Sequence, residues 1–134
     1  MKRMIVVTLC IMILFAGCMP VDKQYYAEQS HYVTVAGTLC HIMYDEGQSA
    51  LYFDLEKCPE GFSDVSFKLV GQGFLIAREN GIVEALSLGD EVTFICAPRY
   101  FGDGYVIPIT AISVGEKCFL DFDQGYDGLM NWLE

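Results

Sequence analysis

Alternation between residues 32 and 56 decides the architecture. In YVTVAGTLCHIMY, 32–44, Val33, Val35, Leu39 and Met43 share one parity. Successive side chains of a strand point to opposite faces, so this parity predicts a strand with one buried side. Gly37 interrupts it, and a glycine inside a strand marks a bulge or a sharp bend. DEGQ, 45–48, is a turn. SALYFDLE, 49–56, is a second strand, with Leu51, Phe53 and Leu55 inward and Tyr52, Asp54 and Glu56 outward. The fold class is therefore mainly β.

The rest of the chain adds to this frame. After the loop KCPEGFSD, the stretch VSFKLV, 65–70, is a third strand. The period then changes: Phe74, Leu75 and Ala77 with Arg78 and Glu79 predict a short helix ending near Gly81, and a further turn runs over 82–86. EVTFICAPRY, 91–100, is a fourth strand, FGDG, 101–104, a tight turn, and YVIPITAISV, 105–114, a fifth strand. Pro108 cannot donate to a ladder, so it belongs at an edge or a bulge. A short strand follows near 117–122. YDGLMNWLE closes the chain as a short helix with Leu129, Met130, Trp132 and Leu133 available to pack. Three strands, a helix and two strands fit a five-stranded barrel plugged by the helix between strands three and four, the OB-fold arrangement. A length of 134 residues suits one such domain.

Ahead of the barrel, Lys2 and Arg3 precede an uncharged run from Met4 to Gly17. As a helix, fourteen residues reach about 21 Å, short of the ~30 Å hydrocarbon core, and the pattern is that of a cleaved signal. Leu14-Phe15-Ala16-Gly17-Cys18 resembles the lipobox of bacterial lipoproteins: two small residues stand before the cysteine that receives the diacylglycerol. Phe15 departs from the usual leucine at its position. The resemblance implies removal of residues 1–17 and lipid attachment at Cys18. Residues 18–31, polar and with Pro20, read as a tether, and 32–134 as the domain. Removing the two cations Lys2 and Arg3 moves the formal charge from −10 to −12. Such a surface repels phosphate backbones and argues against nucleic acid as a partner.

The barrel order and several stretches together resemble the OB-fold lipoproteins of the tRNA-anti-like group. VTVAGTL with Gly37 midway, LSLGDEVTF entering strand four and GYVIPITAI as strand five carry the resemblance, over residues 32–115. The FGDGYVIPI hairpin and the tail beyond Val114 depart from it. In OB-folds, ligands lie on strands two and three between the flanking loops. That placement makes Tyr44, Tyr52, Phe67, Tyr100, Phe101 and Tyr105 the ligand-binding candidates. Of the six cysteines, Cys40, Cys58, Cys96 and Cys118 fall in the domain. Free buried thiols and two bridges both fit the sequence; in an OB barrel the less strained pairings are Cys58–Cys96 and Cys40–Cys118.

Signs of catalysis or metal binding are poor. Cys40-His41 are neighbours on a strand and face opposite ways. DFDQGYDG, 121–128, gathers Asp121, Asp123 and Asp127, but a calcium loop would need a glycine where Tyr126 stands and a glutamate where Trp132 stands. Wide cysteine spacing without C-x-x-C argues against zinc. Gly71 and Gly73 lack a third glycine for a phosphate loop. The reading is a non-catalytic, lipid-anchored module on the outer face of a bacterial membrane, with no cofactor and no metal, that binds an envelope protein, peptide or glycan. An oligonucleotide binder of the same geometry is the alternative. A hydrolase ranks last; His41 beside Cys96 or Asp54 in a cleft would support it.

Overall fold

A computed structural model describes residues 21–62, 64–100 and 105–133. The expected signal segment 1–17, the lipid-bearing Cys18 and the candidate Phe101 lie outside the described residues.

Six strands form one sheet: β1 (Val33–Asp45), β2 (Ala50–Lys57), β3 (Ser66–Leu69), β4 (Glu91–Cys96), β5 (Val106–Val114) and β6 (Lys117–Leu120). β1 pairs antiparallel with β2 and β4, β2 with β3, and β4 with β5. A parallel pairing of Ser66–Lys68 with Val106–Pro108 then closes a five-stranded OB-fold-like barrel. β6 adds to β5 outside the closed circle. Between β3 and β4 stand two helices, α2 (Gly71–Glu79) and α3 (Ile82–Ala85), where one helix and a further turn are expected.

β1 serves two neighbours because it bends. Its first half, Val33–Thr38, faces β4 and its second half faces β2. At the crossing, a Cβ on Gly37 would lie 2.7 Å from the Leu55 side chain and 2.8 Å from the Lys57 carbonyl oxygen. Only glycine fits there. The register then slips between Thr38 and His41, leaving Cys40 without a partner on β2. One inserted residue exchanges the two faces of everything beyond it. Met43, expected inward, is 48% exposed, while Ile42 packs against the core.

The barrel interior is filled by the inward residues of every strand, with Phe53, Phe67 and Phe94 at its centre. Their ring centroids lie 5.4, 5.3 and 4.5 Å apart, and such pairs add about 0.5–1.5 kcal/mol each beyond burial. β4 stops at Cys96, short of the expected Tyr100. Pro98 has no N–H to donate, and the Arg99 N–H turns back to the Ala97 carbonyl at 2.7 Å.

Two elements differ from the sequence reading. Residues 21–31, expected to be tether, form the helix α1 (Val21–Ala27) and a 3-10 turn (Gln29–His31) packed on the domain. Tyr26 is fully buried and its hydroxyl donates to the Arg99 carbonyl at 2.5 Å; the Tyr32 hydroxyl donates to the Tyr26 carbonyl at 2.6 Å. A seven-residue helix is not stable alone, so tertiary burial and not a sequence period makes it. The expected closing helix is α4 (Phe122–Trp132), and it begins four residues earlier than YDGLMNWLE, within the acidic stretch. Asp121 caps it by accepting from the Gln124 N–H at 2.9 Å. Gly125 and Gly128, three apart, turn one face to the protein: a Cβ on Gly125 would meet the Thr110 oxygen at 1.6 Å, and one on Gly128 the Gly73 nitrogen at 2.8 Å. α4 therefore crosses β5 and α2 at backbone contact and reaches β3, where Lys68 Nζ sits 4.5 Å from the centre of the Trp132 ring.

Candidate functional site

The expected ligand face on β2 and β3 is partly covered by the chain itself. Ala50 and Val70, on the outward parity of these strands, are buried in a second cluster with Leu129 of α4, Tyr26 and Ala97. Tyr52, Met130 and Leu133 pack against that cluster. Desolvation under α4 lowers the Lys68 pKa. Lys68, on the outward parity of β3, is engaged with Trp132.

The structure separates the candidate residues. Phe67 is fully buried: it pairs with inward Phe53, so it belongs to the core and to no ligand face. Tyr52 is half-buried. Tyr44 stands at the far end of β1, its ring 6.4 Å from that of Phe74. Burial and the Glu84 carboxylate push its pKa up to about 12. Of the described candidates exposed at the surface, Tyr100 and Tyr105 come together, 5.2 Å apart and nearly perpendicular, and 42% and 70% exposed.

Tyr100 lines a cleft of about 450 Å³ at the end of the barrel away from α2, and Tyr105 stands beside it against the Tyr100 ring. Phe62, Val65, Pro98 and Ile107 give it apolar walls and floor; Tyr100, Arg99 and Glu60 line the remainder. The sequence signal for Phe62 is weak, because it comes from the irregular loop KCPEGFSD, whereas Val65 heads the expected third strand and stands just before β3. The Arg99 guanidinium is held 4.8 Å from the Tyr25 ring, which links the cleft to α1. The described residues of the cleft offer stacking surface, apolar contact and one group of each charge, and none of them sets a base beside a nucleophile.

One polar row needs separate treatment. His41 pairs with Asp54 and Asp54 with Ser66. The Ser66 hydroxyl donates to Asp54 Oδ1 at 2.5 Å, and His41 Nδ1 lies 3.6 Å from Asp54 Oδ2. A hydrolytic triad requires histidine between serine and aspartate, so that it can take the hydroxyl proton. Here the aspartate stands between, and His41 is 62% exposed on an open sheet. The bulge leaves both Cys40 and His41 exposed, against the expected opposition of faces, but no hydrogen bond joins them among the described residues. Desolvation, then the Asp54 and Glu56 carboxylates, push the Cys40 thiol up, opposite to what a nucleophile needs. Among the described residues no group of three metal-ligating side chains forms.

The four cysteines are free thiols, and the register keeps both expected pairs apart. Cys58 follows Lys57, which pairs with Thr38, while Cys96 pairs with Val33, five positions away along β1. Cys58 itself stands beside Gly37, four residues from Val33; an unbent strand rises about 13 Å over that span, whereas a disulfide needs Cα atoms roughly 4.4–6.8 Å apart. Cys118 pairs with Ser113 on β5, and β4 stands between β5 and β1, which carries Cys40. Burial pushes Cys96 up to about 12.

No protein-family model, curated protein or solved structure matches the chain. Among the described residues no helix is long and apolar enough to cross a membrane.

Proposed function

We propose that the protein is a non-catalytic, lipid-anchored binding module of OB-fold type on the outer face of a bacterial membrane. It takes an envelope protein, peptide or glycan in the cleft beside Tyr100 and Tyr105. The observation that carries the reading is the exposed, perpendicular tyrosine pair at an apolar cleft. Rings of this kind stack on sugars and peptide side chains without needing charge. A formal charge of −10 works against a phosphate backbone, and Lys68 and Arg99 stand over aromatic rings. The lipid anchor rests on the Ala16-Gly17-Cys18 signal.

Two measurements test the proposal. Intact mass of the protein from its native host reads cleavage before Cys18 and the added acyl chains; an unmodified initiator methionine ends the anchored reading. Titration of the full chain in detergent with disaccharide-peptide fragments of the cell wall reads the cleft, with a single-stranded oligonucleotide at low and high salt as comparison. Expected are salt-insensitive binding of the wall fragment and a loss of about fivefold or more in Tyr105→Ala, from a stacking contact worth roughly 1–3 kcal/mol. Oligonucleotide binding that falls steeply with salt overturns it.

A further inference from the structure

β1 outruns one of its partners. β4 pairs with it from Val33 to Thr38, and the turn before β4 extends the contact by one residue: Leu39 N–H donates to the Asp90 carbonyl and Gly89 N–H to the Leu39 carbonyl, at 2.8 and 2.9 Å. Beyond the bulged Cys40, β1 is paired with β2 on one side from His41 to Asp45. Among the described residues no strand pairs with its other side. Six residues make an open edge about 20 Å long. Folded proteins blunt such edges with lysine or proline, and CHIMYD carries neither; the Cys40 bulge interrupts only its start.

The open edge also has a matching wall. A groove of about 440 Å³ lies between Tyr44 and Glu46 on one side and Phe74, Arg78, Val83 and Glu84 of α2 and α3 on the other. It stands at the plugged end of the barrel, twelve residues along β1 from the Cys96 end where the Tyr100 cleft opens. The geometry points to strand addition: an extended peptide of another protein lies along Cys40–Asp45 in the place β4 has vacated. It bonds alternate backbone groups and sets an apolar side chain between Tyr44, Phe74 and Val83. Charge selects the occupant. Glu46 and Glu84 line the groove against its single cation Arg78, which stands 5.5 Å from the Phe74 ring, and Asp45 closes the open edge beside them. A second copy would bring the same carboxylates and a further −10 to the contact, so edge-to-edge pairing of this chain with itself is disfavoured. The segment that fits is extended, alternately apolar, and flanked by lysine or arginine.

The test is selection of random peptides of about seven residues, long enough to cover the edge, from a display library on the full chain. Amide hydrogen exchange follows, with the enriched peptides bound. Expected are alternating apolar sequences with a basic flank and slowed exchange of alternate amides within 41–45. One internal proline in the peptide abolishes binding, and Glu84→Lys weakens basic peptides about two- to fivefold, as for an exposed ion pair. Exposed Glu84 can be exchanged without disturbing the core. Absence of enriched peptides, unchanged exchange over 41–45 with peptide bound, or equal binding of the proline variant overturns the inference. None of these outcomes depends on Cys18 or on the Tyr100 cleft.

Discussion

Replacing Gly125 by alanine sets two effects of opposite sign against each other. Alanine is the better helix former by about 1 kcal/mol, so propensity alone predicts a more stable protein. The packing of α4 predicts the reverse. The new Cβ would stand 1.6 Å from the Thr110 oxygen, and real contacts do not fall below 3.0 Å, so the helix must retreat by the difference, 1.4 Å. Thr110 cannot give way. It is fully buried, and its hydroxyl donates to the Ile95 carbonyl at 3.1 Å. A gap of that size forfeits more than half of the dispersion contact of the groups behind it. Leu129, 2% exposed, loses much of a burial worth about 1.5–3 kcal/mol. The hydrogen bond from the Tyr126 hydroxyl to the Ala27 carbonyl, worth about 1 kcal/mol, and the Lys68–Trp132 contact, worth about 0.5–2 kcal/mol, go with it. The net expectation is a loss of about 2–4 kcal/mol. Trp132 is the only tryptophan and rides on α4, so urea unfolding followed by its fluorescence reads the helix directly. Gly47→Ala, whose Cβ meets its nearest neighbour at 3.5 Å, is the control. A Gly125→Ala midpoint at or above that of the parent protein would refute the seating of α4 on β5.

Two further perturbations probe other joints. Tyr26→Ala removes the residue that seats α1; urea unfolding should show a loss of about 2–4 kcal/mol, at the lower end of aromatic truncations because an undocked α1 can hang free. Tyr26→Phe, which gives up only the hydroxyl, should lose about 1 kcal/mol, and parent-like midpoints in both variants would mean that α1 does not dock. The third concerns Cys96, whose thiol burial raises from 9 to about 12. Above pH 9 the unfolded chain releases this proton and the folded one keeps it, so stability is intact below pH 9 and falls towards pH 12. Between pH 8 and 11 the contribution is on the order of 2 kcal/mol. Cys96→Ala should flatten that part of the curve measured by urea midpoints, and an unchanged slope counts against the buried thiol.

The legible parts of the fold were those where burial is periodic. Leu51, Phe53 and Leu55 on β2 are all buried, and Tyr52, Asp54 and Glu56 are not. The order of strands and the helical break after β3 followed from the same signal. What escaped was decided by geometry at single residues. One unpaired residue at Cys40 turned Met43 outward, and no composition rule announces which residue a strand will skip. α1 was missed because, among its described side chains, only Tyr26 is fully buried, with Tyr25 packed beside it, and two neighbouring residues make no period. The front of α4, Phe122–Gly125, was not seen as helix because Gly125 is a poor helix former, and the purpose of Gly125 and Gly128 is visible only once Thr110 and Gly73 lie beside them. The candidate site divided in the same way. Tyr100 and Tyr105 were singled out because FGDG between them reads as a turn in the sequence, while Phe67 belongs to the inward parity of β3, a four-residue strand too short to declare its face.

The closure of the barrel rests on three rungs between Ser66–Lys68 and Val106–Pro108, and the last of these includes a residue with no amide hydrogen. Every other joint of the circle has more. α4 runs from Thr110 to Lys68 across this narrow place, like a hasp over a short latch. A cylinder held this way should part first along the same line, and the C-terminal segment then governs how long it stays shut.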